Sequence, residues 1–124
     1  MNKKEALIES LEKANKRLKE VVLLPATRVS KDATIKRFEF VFELSWKTIK
    51  EYCRDEGFDC LSPKSCIRWA GKMELIDDVE KWIEFLENRN LASHTYNENL
   101  ANQVYAISKK LPKEVDKLLK KLKS

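Results

Sequence analysis

With 124 residues, two Gly, three Pro and 36% charged residues, the chain reads as one helical domain large enough to bury its own core, and a sheet built on turns is disfavoured. The net charge of +5 gathers in residues 109–124, where seven lysines meet only Glu114 and Asp116. No stretch approaches the roughly 18 apolar residues of a membrane span, the opening Met-Asn-Lys-Lys-Glu-Ala-Leu holds no apolar signal core, and three cysteines without a C-x-x-C pattern make a reducing cytoplasm the simplest setting.

A first helix is expected over about Lys3 to Val22, where Leu7, Leu11, Ala14, Leu18 and Val21 recur on a single seam. Pro25 closes that segment. A second helix, from about Asp32 to Glu56, takes Ser30 or Asp32 as its N-cap and Gly57 as its stop. Ile35, Phe38, Phe42, Ile49 and Cys53 lie along one arc. Phe40, Val41, Leu44, Thr48 and Tyr52 widen it, and Lys36, Glu43, Lys47, Lys50 and Arg54 form a narrow polar strip. So wide an apolar arc needs more than one covering surface, so this helix is the centre of the bundle or also part of an interface. A homodimer is expected.

Residues 58–76 read as a connector with one short helix, capped by Ser62 ahead of Pro63 and ended by Gly71, with Ile67 and Ala70 facing inward. Trp69 is a packing residue or a lid, and packing is the simpler assignment. Asp77 then starts a helix with Glu80 as its capping-box partner. Val79, Trp82, Ile83 and Leu86 form its buried stripe, while Glu84, Glu87 and Asn88 take the wet side. Continued, the stripe lands on Arg89 and Asn90. An unpaired guanidinium on a core face is expensive, so Arg89 must meet a carboxylate, carbonyls, a bound anion or water in a cleft.

The pattern restarts after Ser93. Thr95-x-x-Glu98 reads as a second capping box, and Tyr96, Leu100, Val104, Ile107 and Leu111 share a face. Pro112 interrupts this helix or starts another, and Val115, Leu118 and Leu122 give the basic segment an apolar side. Without repeats or linkers, residues 1–124 make one domain, with 109–124 as a basic helical tail. That tail can attract RNA or an acidic partner. A solvated helix end fits better, because no aromatic stacking platform accompanies the lysines.

His94 is the only histidine. In an unbroken helix Arg89 and His94 would point about 140° apart; a break before Thr95 puts His94 on a joint, where an arginine, a helix start and a histidine together make a phosphate site. Metal-free RNA cleavage needs a base for the 2′-OH, an acid for the leaving 5′-oxygen and positive charge on the phosphorane. One His per chain supplies one proton carrier, so that chemistry depends on a dimer bringing two copies together. A capping or structural histidine is the plainer alternative. Tyr96 is a core residue with its hydroxyl at the edge, or a modifiable hydroxyl beside the active stretch. One His and widely spaced cysteines fit zinc poorly, and no metal or cofactor is expected.

Arg89-x4-His94-Thr95-Tyr96 fits the R-x4-H-x-Y pattern of the HEPN-domain proteins. Phe38-Glu39-Phe40, Glu43-Leu44-Ser45-Trp46-Lys47 and Asn88-Arg89-Asn90-Leu91-Ala92-Ser93-His94-Thr95-Tyr96-Asn97 resemble specifically its nucleotidyltransferase substrate-binding-protein-like branch, over most of the chain to about Ile107. The resemblance implies an all-α, up-and-down bundle of four or five helices that dimerises through its long helices. It also implies a separate minimal nucleotidyltransferase as partner. The protein is then an accessory substrate- or nucleotide-binding subunit of a two-component, toxin–antitoxin-like pair, with Arg89, Asn90 and His94 binding phosphate or nucleotide. Alternatively it is a HepT-like metal-independent ribonuclease toxin, with Arg89 and His94 catalytic and Tyr96 the hydroxyl to which the partner attaches AMP. A third reading makes the dimer a scaffold only.

Overall fold

A computed structural model describes residues 1–124. The chain forms six α-helices: α1 (Lys3–Val22), α2 (Arg28–Asp55), α3 (Pro63–Lys72), α4 (Val79–Leu91), α5 (Glu98–Ser108) and α6 (Leu111–Lys123), with a single 3-10 turn, Ala92–His94, between α4 and α5. There is no strand, and the expected all-α up-and-down bundle is what the chain builds. No helix is long and apolar enough to cross a membrane.

The first helix has the expected ends and seam: Leu11, Ala14, Leu18 and Val21 are buried, and Leu7 is half-buried. The second begins four residues before the expected Asp32. Thr27 and Ser30 cap each other's backbone N–H groups, a box in which a serine stands where a Glu or Gln is usual. Gly57, at φ +88°, supplies the left-handed turn that ends the segment. α2 touches every other helix, so it is the bundle's centre. Phe38, Val41, Phe42, Ile49 and Cys53 are fully buried on it. The buried hydroxyls of Thr34, Ser45 and Thr48 donate to carbonyls four residues back and so leave no orphan donor.

Beyond α2 several local readings shift. Ser62 and Pro63 start α3 as expected, but Gly71 lies inside that helix and does not end it. A Cβ at Gly71 would lie 2.4 Å from Val79 Cγ2, so the glycine serves close packing of α3 on α4. Trp69 packs: its ring stacks on Phe58 at 4.5 Å. Cys60 and Cys66 form a disulfide, at odds with the simplest reading of the cysteines, because the turn before α3 brings their Cα atoms to 5.0 Å. Cys53 stays a free, buried thiol, and that burial pushes its pKa up.

The basic segment is a wall of the bundle rather than an appendage. Leu111, Val115, Leu118 and Leu122 are buried. Asn15 of α1 donates to Pro112 O (3.2 Å) and Asp116 Oδ1 (3.1 Å), Lys19 pairs with Asp116 at 2.7 Å, and Lys123 pairs with Glu12. Most of its lysines face solvent, as a solvated helix face requires.

Candidate functional site

The site begins with an aromatic floor. Trp82 and Phe85 of α4 meet edge to face at 5.4 Å; Phe42 of α2 lies 6.4 Å from Trp82 and Phe38 lies 6.4 Å from Phe85. Phe85 was missing from the expected stripe, which therefore came out rotated. The true stripe runs Trp82, Phe85, Asn88, Ala92. Asn88, expected on the wet side, is only 4% exposed. Its amide donates to Glu84 O (2.9 Å), and its oxygen accepts from Gln103 of α5 (3.4 Å).

One residue on, Arg89 lies at the rim of this floor, with its guanidinium carbon 5.7 Å from the Phe42 ring centre. Of the partners that burial demands, it takes a carboxylate: Glu43, from the polar strip of α2, accepts a hydrogen bond from Nη2. Nη1 donates to Asn90 Oδ1 at 3.2 Å. Nε is buried with no acceptor, so that donor remains unused. Glu43 also lies 3.8 Å from Lys47.

The second capping box does not form. Thr95 has φ −76° and ψ 2°, not the extended backbone of an N-cap, and its hydroxyl donates back to Ala92 O. Asn97 caps α5 instead, its side chain accepting from Leu100 N–H at 3.2 Å. The joint is real, but it is a 3-10 turn followed by three residues before the helix. His94 ends that turn, solvent-exposed, with its ring 5.9 Å from Tyr96 and edge-on to it. Tyr96 precedes α5 and is 86% exposed, which overturns the core-packing reading. No hydrogen bond or ion pair links Arg89 to His94 within one chain; Arg89 turns toward α2, and His94 toward Tyr96 and solvent.

Two further basic residues escaped the sequence reading. A cleft of about 440 Å³ separates the start of α2 from the start of α5, lined by Arg28, Lys31 and Asp32 on one side and Tyr96, Glu98 and Asn102 on the other. The Thr27-x-x-Ser30 box was the signal that would have placed Arg28 and Lys31 in the first helical turn.

A family described as "Nucleotidyltransferase substrate binding protein like" matches residues 6–124, basic segment included. A relative from Haemophilus influenzae, named "Probable ribonuclease HepT", is 36% identical over 77 residues, which cover 58% of this chain and 53% of that protein. The matched part thus spans about half of that relative's length. A crystal structure of a Thermus thermophilus protein superposes with a TM-score of 0.87 at 34% identity, covering 92% of this chain and 99% of the other. A Haemophilus influenzae structure described as the fold of a substrate binding domain of a nucleotidyltransferase superposes at 0.72 with 28% identity, covering 98% and 97%.

Proposed function

Because this chain belongs to the nucleotidyltransferase substrate-binding-protein-like family, we propose that it is the accessory, nucleotide-binding subunit of a two-component system whose other half is a separate minimal nucleotidyltransferase. The observation that carries this reading is the joint between α4 and α5. It holds an exposed histidine and an exposed tyrosine ring against one another, while the neighbouring arginine is neutralised by Glu43. An aromatic ring beside polar groups in an open cleft suits binding of a nucleoside more than bond cleavage. The proposed working unit is a homodimer. Phe40 is 62% exposed beside the half-buried Leu44 on α2, an apolar face that a second copy would cover.

A second reading has its own support in the name of the Haemophilus relative and in the unused Nε donor of Arg89. In that reading the dimer is a metal-independent ribonuclease toxin. Two copies of His94 supply base and acid, Arg89 neutralises the phosphorane once RNA displaces Glu43, and AMP transfer to Tyr96 silences the site.

The experiment is incubation of purified protein with a mixed RNA pool in EDTA, beside His94→Ala and alongside calorimetry with AMP. Binding of AMP without cleavage is the expected result. Products ending in 2′,3′-cyclic phosphate, absent with His94→Ala, would replace the binding reading with the nuclease one. A Tyr96 found by mass spectrometry to carry AMP would mean the silence is inhibition.

A further inference from the structure

Arg89, the cation that the sequence motif offers for phosphate, is already occupied. Glu43 and Asn90 each accept one N–H from the terminal nitrogens, and the Glu43 carboxylate already neutralises the guanidinium, so a nucleotide phosphate arriving there competes with a carboxylate. The cleft beside Tyr96 is different. Arg28 and Lys31 line one wall and neither forms an ion pair; Lys31 Nζ donates only to the neutral Asn102 Oδ1, at 3.2 Å, and lies 5.7 Å from the Tyr105 ring. Asp32 and Glu98 also line the cleft without cationic partners. Such an opening, with two free cations, two free carboxylates, one amide and an exposed aromatic ring, does not suit a bare anion, because its charges balance. It suits a ligand that carries an anion, a diol and a flat apolar ring on one small frame.

We infer that this cleft binds a nucleoside monophosphate, with Arg28 and Lys31 on the phosphate, Asp32 or Glu98 accepting from the ribose hydroxyls, and Tyr96 against the base. Each assignment follows from donor and acceptor chemistry. Guanidinium and ammonium groups donate to phosphate oxygens, carboxylates accept from ribose hydroxyls, and an exposed aromatic ring offers a stacking face to any base. About 440 Å³ falls within the range of small-ligand clefts. This inference rests on the nucleotide-binding reading and moves the phosphate contact from Arg89 to the start of α2. It also places Tyr96 within reach of a bound nucleotide, so the ring serves as a binding platform whether or not its hydroxyl is ever modified.

The test is a backbone-amide NMR titration of the full chain with AMP, adenosine and inorganic phosphate, on wild type, Arg28→Glu, Lys31→Gln and Arg89→Ala. Arg28 is exposed and its substitution leaves the core untouched; a thermal melt of each variant confirms folding. AMP is expected to shift the amides of Lys31, Tyr96 and Asn102 and to bind more tightly than either fragment. Arg28→Glu should weaken it by roughly tenfold or more, the loss of one charged hydrogen bond. AMP binding that survives Arg28→Glu and Lys31→Gln but fails in Arg89→Ala would overturn the cleft and leave the nucleotide-binding reading standing. Inorganic phosphate binding as tightly as AMP would overturn the ribose and base contacts. No shift in wild type at millimolar AMP would overturn both readings.

Discussion

Replacing Glu43 with Gln keeps the shape of the side chain and removes the charge that holds Arg89. Pairs in open solvent contribute about 0.2–1 kcal/mol, and a fully buried charge left without its partner costs about 3–5 kcal/mol. Here the Arg89 and Glu43 side chains are 27% and 35% exposed, so water screens part of the interaction and re-solvates part of the loss. The weaker approach of Lys47 to Glu43 and the Phe42 ring beneath Arg89 add little. The expected destabilisation is therefore about 1–2 kcal/mol. At about 4 °C per kcal/mol for a domain of this size, the melting temperature should fall by about 4–8 °C. The assay is urea unfolding followed by circular dichroism on wild type, Glu43→Gln, Arg89→Gln and the double variant. The double variant should lose less than the sum of the singles by about 1 kcal/mol. Strict additivity would refute the claim that this pair joins α4 to the middle of α2.

Other consequences are quickly checked. Leu118→Ala should cost about 2–5 kcal/mol in the same urea assay, because Leu118 is fully buried; a loosely attached segment would show no change. Tyr96→Phe should leave stability within about 0.5 kcal/mol, since the ring is exposed, yet it should remove any AMP adduct that mass spectrometry detects after incubation with ATP and a minimal nucleotidyltransferase, the proposed partner. Under non-reducing conditions at pH 8, folded protein should take up no iodoacetamide. Cys60 and Cys66 are joined, and the raised pKa of Cys53 leaves it less thiolate than a free cysteine at that pH. After unfolding in guanidine, one adduct should appear; three would mean that the disulfide is absent.

Helices whose apolar residues outnumber the alternatives were legible: the α1 seam and its ends, the breadth of the α2 arc, and the Ser62-Pro63 start of α3 could all be read directly. The misreadings came where two local signals competed within a residue or two. Asp77 and Asp78 are adjacent candidate caps, and it is Asp78 that accepts from Lys81 N–H. Thr95 and Asn97 are both good N-caps, and only backbone conformation chooses between them. Leaving Phe85 out of the α4 stripe rotated that face and sent Asn88 to the wrong side. In the site, Arg89's need for a partner followed from burial cost alone, but its identity did not. Glu43 is 46 positions away in the chain, and no local pattern reports that two helices will cross there. Arg28 and Lys31 went unnoticed for the same reason: their meeting with Tyr96 exists only after α2 and α5 pack.

The docking of α6 on α1 also sets a timetable for the nascent chain. Asn15 must wait for Pro112 and Glu12 for Lys123, separations of 97 and 111 residues. At about 5–20 residues per second, a ribosome needs about 5–20 seconds to make that connecting stretch. Throughout that interval the side of α1 that carries Glu12, Asn15 and Lys19 lacks its α6 partners. A mutation that weakens the docking of α6 would thus prolong this uncovered state in addition to destabilising the finished molecule.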